Sequence, residues 1–115
     1  MGLKQVFKKA AKTAFKVADD VKINAIYRTI NDDGFNPIYT NDVDLEVIRL
    51  EFTADDYREL SFKDLIQPLD FKILILCEDI SSVDMNDTVI IDSIEYSIIG
   101  FEKDAADAVW TVGLR

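Results

Sequence analysis

The chain has 115 residues, 49% of them hydrophobic, and a formal net charge of −9. This size and composition predict a single globular domain, residues 1–115, and exclude a disordered polypeptide. The chain has a single cysteine, Cys77, which excludes an intrachain disulfide framework. It has no histidine, so the commonest general base and transition-metal ligand is missing.

The charge is distributed unevenly along the chain. Residues 1–18 carry five lysines and no acidic side chain, whereas residues 19–115 carry 8 basic and 22 acidic side chains. An acidic body argues against broad contact with a phosphate backbone. No run of about 18 apolar residues occurs, so we expect no membrane span and no membrane partner.

Residues 1–18 are predicted to form an N-terminal amphipathic α-helix, because apolar residues recur there at intervals of three and four. A helix of this length needs a packing partner, either its own sheet or a neighbouring subunit. Its lysines form a solvated face, or they contact an acidic neighbour or DNA. The lysines of the repeat on the polar face are Lys4, Lys8, Lys12 and Lys16.

Residues 19–115 are predicted to form the β body of the domain. Apolar and polar residues alternate over 21–28, as in a strand. The turn-rich segment 30–41 is predicted to be a loop. Phe35 and Tyr39 lie inside this segment, so they either pack locally or form part of an interface.

Residues 42–52 are predicted to form a second strand. Its alternation slips by one residue at Val47–Ile48, which predicts a β-bulge, and a similar slip at Ile98–Ile99 predicts another. Bulged and strongly coiled strands suit a small closed antiparallel barrel or a strongly curved sheet. The fold class is therefore predicted to be mainly β.

Residues 53–70 form a long connection, in which we expect a strand edge or a short helix together with a mobile binding loop. Asp55, Asp56 and Glu59 surround Tyr57 in this connection. The acidic residues lack the spacing of a calcium-binding loop, so they are interpreted as solvated or interface charges.

The remainder of the chain predicts four more strands. Residues 71–77 are apolar on both faces, so this strand is either central or covered by the N-terminal helix. Strands at 88–91, 94–101 and 109–114 predict an antiparallel meander. Alternation in the last strand places three apolar side chains on one face: Trp110, Val112 and Leu114.

The sequence contains no nucleophile–base pair, no glycine-rich phosphate loop and no cluster of metal ligands. We therefore expect no enzymatic activity, no cofactor and no metal site.

Motifs distributed over nearly the whole chain resemble one protein family. They are Phe7–Phe15, Ala25–Arg28 with the Asn36–Pro37 turn, Leu65–Ile75, Asn86–Asp92, Ile94–Ile98 and Ala108–Arg115. They are similar to parts of head-tail joining proteins of long-tailed bacteriophages. The first motif resembles the first helix of that family, the second its first strand and loop, and the third its central turn and strand. The last three motifs resemble its closing meander. These are also called head-closure or neck proteins. Asn86 and Ser93 stand at turn positions where that family usually has glycine.

The resemblance implies a ring in the virion neck, between the portal and the tail, assembled from protein made in the host cytoplasm. The implied partners are the portal or adaptor complex, tail proteins, other copies of the chain, and double-stranded DNA that passes without specific binding. We expect the contacts to involve the basic segment, the 30–41 loop and the 53–70 connection. The candidate interface residues are Lys4, Lys8, Lys12, Lys16, Phe35, Tyr39, Asp55, Asp56, Tyr57 and Glu59.

Three alternatives remain open from the sequence. A tail-completion or adaptor protein of the same connector would have the same composition. A small barrel that binds single-stranded nucleic acid would use Tyr27, Phe35 and Tyr39 as stacking platforms beside the five lysines. A regulatory module that acts on a host protein has no specific support.

Overall fold

A computed structural model describes residues 22–31, residue 34 and residues 39–115, with Tyr39 described by its backbone alone. The helix predicted over residues 1–18 lies outside these residues. The described part is mainly β, as predicted. Its strands are β1 (Lys22–Asn31), β2 (Tyr39–Leu50), β3 (Phe71–Leu76), β4 (Thr88–Ile91), β5 (Ile94–Lys103) and β6 (Val109–Leu114).

The six described strands close into an antiparallel barrel with the order β1-β2-β3-β6-β5-β4. The ladders differ in length. The β1–β2 ladder runs through ten residue pairs and the β3–β6 ladder through six. The β1–β4 and β2–β3 ladders have three pairs each. The choice between a closed barrel and a curved sheet is thus settled in favour of the barrel.

The core fills the inside of the barrel, because alternate side chains of each strand point inward. Ile73 and Ile75 of β3 are fully buried, and Cys77 after this strand is half-buried and packs against the core. The shared inward face of the last strand is confirmed, since three of its side chains are buried there: Trp110, Val112 and Leu114.

One of the two predicted bulges is present. The β5–β6 register shifts between Ile98 and Gly100, as the slip in alternation predicts. The bulge predicted at Val47–Ile48 is wrong, because the β1–β2 register runs through both residues without a shift. Val47 lies in the core and Ile48 points to the opposite face of β2, yet both are buried. Two consecutive apolar residues therefore need no bulge here.

The hairpins differ in how they turn. The loop predicted over 30–41 is shorter than expected, since β1 continues to Asn31 and β2 begins at Tyr39. The β4–β5 hairpin turns through Asp92 and Ser93, whose φ angles are 52° and 66°. Two positive φ values in a two-residue loop define a type I′ turn, which matches the twist of the flanking strands.

Candidate interaction surface

The connection between β2 and β3 folds against the outer wall of the barrel. It contains two short helical segments, α1 (Asp56–Glu59) and a 3-10 helix (Lys63–Leu65). The short helix expected in this connection is thus confirmed. Leu60 and Phe62 form a second apolar cluster with Ile99 of β5, apart from the barrel core.

Phe62 explains two of the glycines. Gly100 and Gly113 face each other across the β5–β6 ladder, and the Phe62 ring lies on both. A Cβ atom at Gly100 would stand 2.3 Å from Phe62 Cγ, and one at Gly113 would stand 2.8 Å from Phe62 Cε2. Such distances are far inside van der Waals contact. The absence of side chains at these two positions therefore lets the connection lie directly on the wall.

A partly buried ion pair fastens the start of the connection. Lys72 Nζ of β3 lies 2.5 Å from Asp56 Oδ2, and the two side chains are only 11% and 15% exposed. The Thr53 amide donates to Asp56 Oδ2 at 2.8 Å, and the Asp56 amide donates to Thr53 Oγ1 at 3.3 Å, as in a capping box. Burial raises the pKa of Asp56, but the bonds from Lys72 and Thr53 outweigh it and leave the pKa below its usual value.

A second ion pair fastens the end of the connection. Arg115 binds both carboxylate oxygens of Asp70, at 3.1 Å from Nε and 2.9 Å from Nη2, and the Asp70 side chain is 2% exposed. Arg115 Nη2 also donates to the Leu65 carbonyl oxygen at 2.9 Å. The backbone N–H of Gln67 donates to Asp70 Oδ2 at 2.8 Å. The bond from Arg115 lowers the pKa of Asp70.

Between these two anchors the connection exposes leucine side chains. Leu69 is 99% exposed, and its φ of 75° lies in the left-handed region. It follows Pro68 in a turn closed by the Asp70 amide, which donates to the Gln67 carbonyl at 3.2 Å. Glycine or asparagine is favoured at such a position, and another residue costs about 1–2 kcal/mol. Leu65 is also more than half exposed. We call Leu65 and Leu69 the apolar tip.

A cleft of about 810 Å³ opens on the outer face of β1, β2 and β4. Its lining combines apolar and acidic side chains. The apolar ones include Ile26, Val43 and Ile90, and the acidic ones are Asp44, Glu46, Asp79 and Asp92. We call this feature the acidic cleft.

The structure separates the residues predicted to form an interface. Asp55, Tyr57 and Glu59 are exposed around α1, with Asp55 paired to Arg58 and Tyr57 against Phe52. Asp56 points inward to Lys72. The remaining candidates are Lys4, Lys8, Lys12, Lys16, Phe35 and the side chain of Tyr39, all outside the described residues.

The sequence interpretation did not single out the apolar tip or the residues that fix it. The signal was present in Gln67-Pro-Leu-Asp70, where a leucine follows proline in a turn. It also did not anticipate that Arg115 would bind Asp70, because the pair is separated by 45 residues.

Tyr27 does not have the exposure that a stacking platform for nucleic acid needs. Its ring is buried, and its hydroxyl donates to Asp87 Oδ2 at 2.5 Å. Burial and this hydrogen bond raise the pKa of Tyr27 well above its usual value. The single-stranded nucleic acid alternative therefore loses one of its three aromatic residues.

In the part of the chain that the structure describes, no group of three or more Cys, Asp or Glu side chains is placed to hold a metal ion. The same residues include no helix with the length and apolarity needed to cross a membrane. The sequence matches no protein-family model, and a search of curated proteins finds no match. The described surface presents exposed apolar side chains and carboxylates.

Proposed function

We propose that this chain is a structural assembly protein of the bacteriophage neck. It forms a ring that closes the filled head and joins it to the tail. The proposal begins from the motifs that resemble head-tail joining proteins. The structural observation that supports it is the connection after β2, which is fastened at both ends and exposes Leu65 and Leu69 to solvent.

The closed barrel agrees with an assembly role that depends on side chains. Each described strand pairs with a neighbour on both sides, although β1 meets β4 and β2 meets β3 through only three residue pairs each. In this proposal the copies meet through side-chain surfaces such as the connection, and the barrel keeps its own strand pairing. A rigid barrel with a preformed contact loop suits a ring whose subunits keep their fold on assembly.

The charge of the chain agrees with a channel through which DNA passes. Negative walls repel phosphates, so DNA can move without adhering. In this proposal Asp55 and Glu59, both exposed, contribute to the surface that faces the channel or the tail. Asp56 contributes indirectly, because its ion pair with Lys72 holds the same segment in place.

Light scattering tests this function on the purified chain, alone and with a purified portal–adaptor complex. We expect the chain to join the complex in a ring stoichiometry. Tyr57→Ala removes an exposed aromatic ring from the connection and should weaken the association. Met85→Ala, which removes a similarly exposed apolar side chain from the β3–β4 loop, is the matched control. A chain that joins neither the connector nor tail tubes contradicts the proposal.

The same measurement distinguishes the neighbouring role in the connector. A chain that ignores the portal–adaptor complex but joins purified tail tubes would be a tail-completion protein. A chain that joins the portal directly, with no adaptor present, would be an adaptor.

A further inference from the structure

The apolar tip and the acidic cleft lie on opposite walls of the barrel. The cleft lies on β1 and its two neighbours in the barrel, β2 and β4. The connection that carries the tip is packed on β6 and its two neighbours, through Gly113, Gly100 and Lys72. In the six-strand order, β1 and β6 are three positions apart, which is half of the circumference.

We propose that the apolar tip of one copy inserts into the acidic cleft of the next copy. This inference rests on the proposed ring, which supplies the second copy. The contact is heterologous, because different surfaces of the same chain meet. A growing assembly then has one free tip at one end and one free cleft at the other, so copies add head to tail, and they form a ring when the rotation between successive copies closes.

The tip has the properties of an anchor residue at an interface. Leu69 presents its entire side chain to solvent from a backbone conformation that is unfavourable for leucine. The ion pair of Asp70 with Arg115 fixes the turn that holds it. Strained backbone held in place by its surroundings is common at binding sites, and preorganised anchors lose little entropy on binding.

The cleft matches the tip in chemistry. Ile26 and Ile90, which are neighbours across the β1–β4 ladder, offer apolar surface for leucine side chains, and a volume of about 810 Å³ is ample for both leucines. The exposed Lys63 lies two residues before Leu65 and faces the carboxylates of the cleft in the proposed contact, whereas the exposed Asp64 beside it has to point away from them. Those carboxylates disfavour a nucleic acid as the occupant, because they repel phosphates.

Cysteine cross-linking tests the contact with the purified full chain. Cys77→Ala removes the natural thiol and serves as the background. Leu69→Cys places a thiol on the tip, and Asp44→Cys places one in the cleft. The two variants are mixed at high concentration and treated with a short bismaleimide. We expect a linked dimer from the mixture, at a several-fold higher yield than from either variant alone. The double variant should give a ladder of larger species.

Two controls accompany the cross-linking, and two outcomes would overturn the contact. Ser82→Cys, exposed in the β3–β4 loop, replaces Asp44→Cys to measure random collision. Lys63→Glu in the Leu69→Cys chain should lower the yield, because it places like charges together. Equal yields with Ser82→Cys and Asp44→Cys overturn the contact, as does efficient linkage of Leu69→Cys to itself.

The test separates this contact from the proposed function. A wild-type chain that joins the connector but fails to link tip to cleft keeps the neck role and loses this contact. A chain that links tip to cleft but ignores the connector keeps the contact and loses the neck role.

Discussion

At the scale of single residues, two side chains with left-handed backbone have different surroundings. Leu69, with φ of 75°, carries a fully exposed side chain on a surface that we propose for contact. Ser93, with φ of 66°, is the second residue of the type I′ turn between β4 and β5. Glycine is the preferred residue there because it has no Cβ penalty. Ser93 therefore weakens the hairpin. The strained backbone at Leu69, in contrast, holds a fully exposed side chain on the surface that we propose for contact.

Ser93→Gly should raise the free energy of unfolding by about 1 kcal/mol. The substitution removes the penalty of a serine in the left-handed region, and this gain exceeds the loss that comes from the greater freedom of glycine in the unfolded chain. Urea denaturation of the purified chain measures this change. Ser82→Gly is the matched control. Ser82 has no positive φ, so glycine there should leave the stability unchanged or lower it. An equal effect of both substitutions would contradict the account of the turn.

At the scale of elements, the contact between the connection and the barrel depends on empty space at Gly100. Gly100→Ala should lower the free energy of unfolding by about 1–3 kcal/mol, because the new methyl group overlaps the Phe62 ring. In a Phe62→Ala background the same substitution should cost much less. A double-mutant cycle measured by urea denaturation isolates the coupling between the two sites.

Gly34→Ala is the control for this cycle. No atom of the described residues lies within 4 Å of a Cβ built there, although its φ of 78° makes alanine unfavourable. It should therefore destabilise the chain by the same amount with or without Phe62. A coupling at Gly100 no larger than that at Gly34 would show that Phe62 does not hold the connection on the wall.

The second anchor of the connection should make stability depend on pH. Arg115 lowers the pKa of Asp70 in the folded chain, so folding favours the carboxylate. The resulting stability is fully present above the unfolded pKa of about 4 and is lost as the pH falls through the folded pKa. Asp70→Asn should therefore be less stable than the wild type at neutral pH, with a difference that shrinks on acidification. Urea denaturation at several pH values measures this trend.

Asp64→Asn is the matched control for Asp70→Asn, because Asp64 is an exposed carboxylate of the same connection. Because this side chain is exposed, its replacement should change the free energy of unfolding little. A difference at Asp70 that stays constant down to strongly acidic pH would show that the ion pair with Arg115 does not stabilise the fold.

The sequence predicted those elements whose information is local. Apolar and β-branched runs bounded by turn residues located the last four strands, and the slip at Ile98 located a bulge that is present. The same argument failed at Val47–Ile48, because alternation cannot tell an outward side chain that is buried from one that is exposed. The apolar tip was missed for a related reason. Its fixed geometry depends on Arg115, which no local pattern connects to Asp70.

At the scale of the whole molecule, the described barrel consists of a long hairpin and a four-strand sheet joined at two short seams. The hairpin is β1–β2, and the sheet is β3-β6-β5-β4. The seams are the β1–β4 and β2–β3 ladders, with three residue pairs each. Side chains reinforce both seams. Tyr27 binds Asp87 at the first, whereas Lys72 binds Asp56 at the second.

Native-state hydrogen exchange should find the two seams less protected than the six-pair β3–β6 ladder, because fewer backbone bonds must break to open them.

Tyr27→Phe removes the hydroxyl that donates to the buried Asp87 carboxylate, which should cost about 1–3 kcal/mol. If the seams open independently, this loss appears in the opening free energy of the β1–β4 amides and leaves the β2–β3 amides nearly unchanged. An equal loss at both seams would mean that the barrel opens only as a unit. The β2–β3 seam is the internal control, since its ladder has the same number of pairs and lies away from Tyr27.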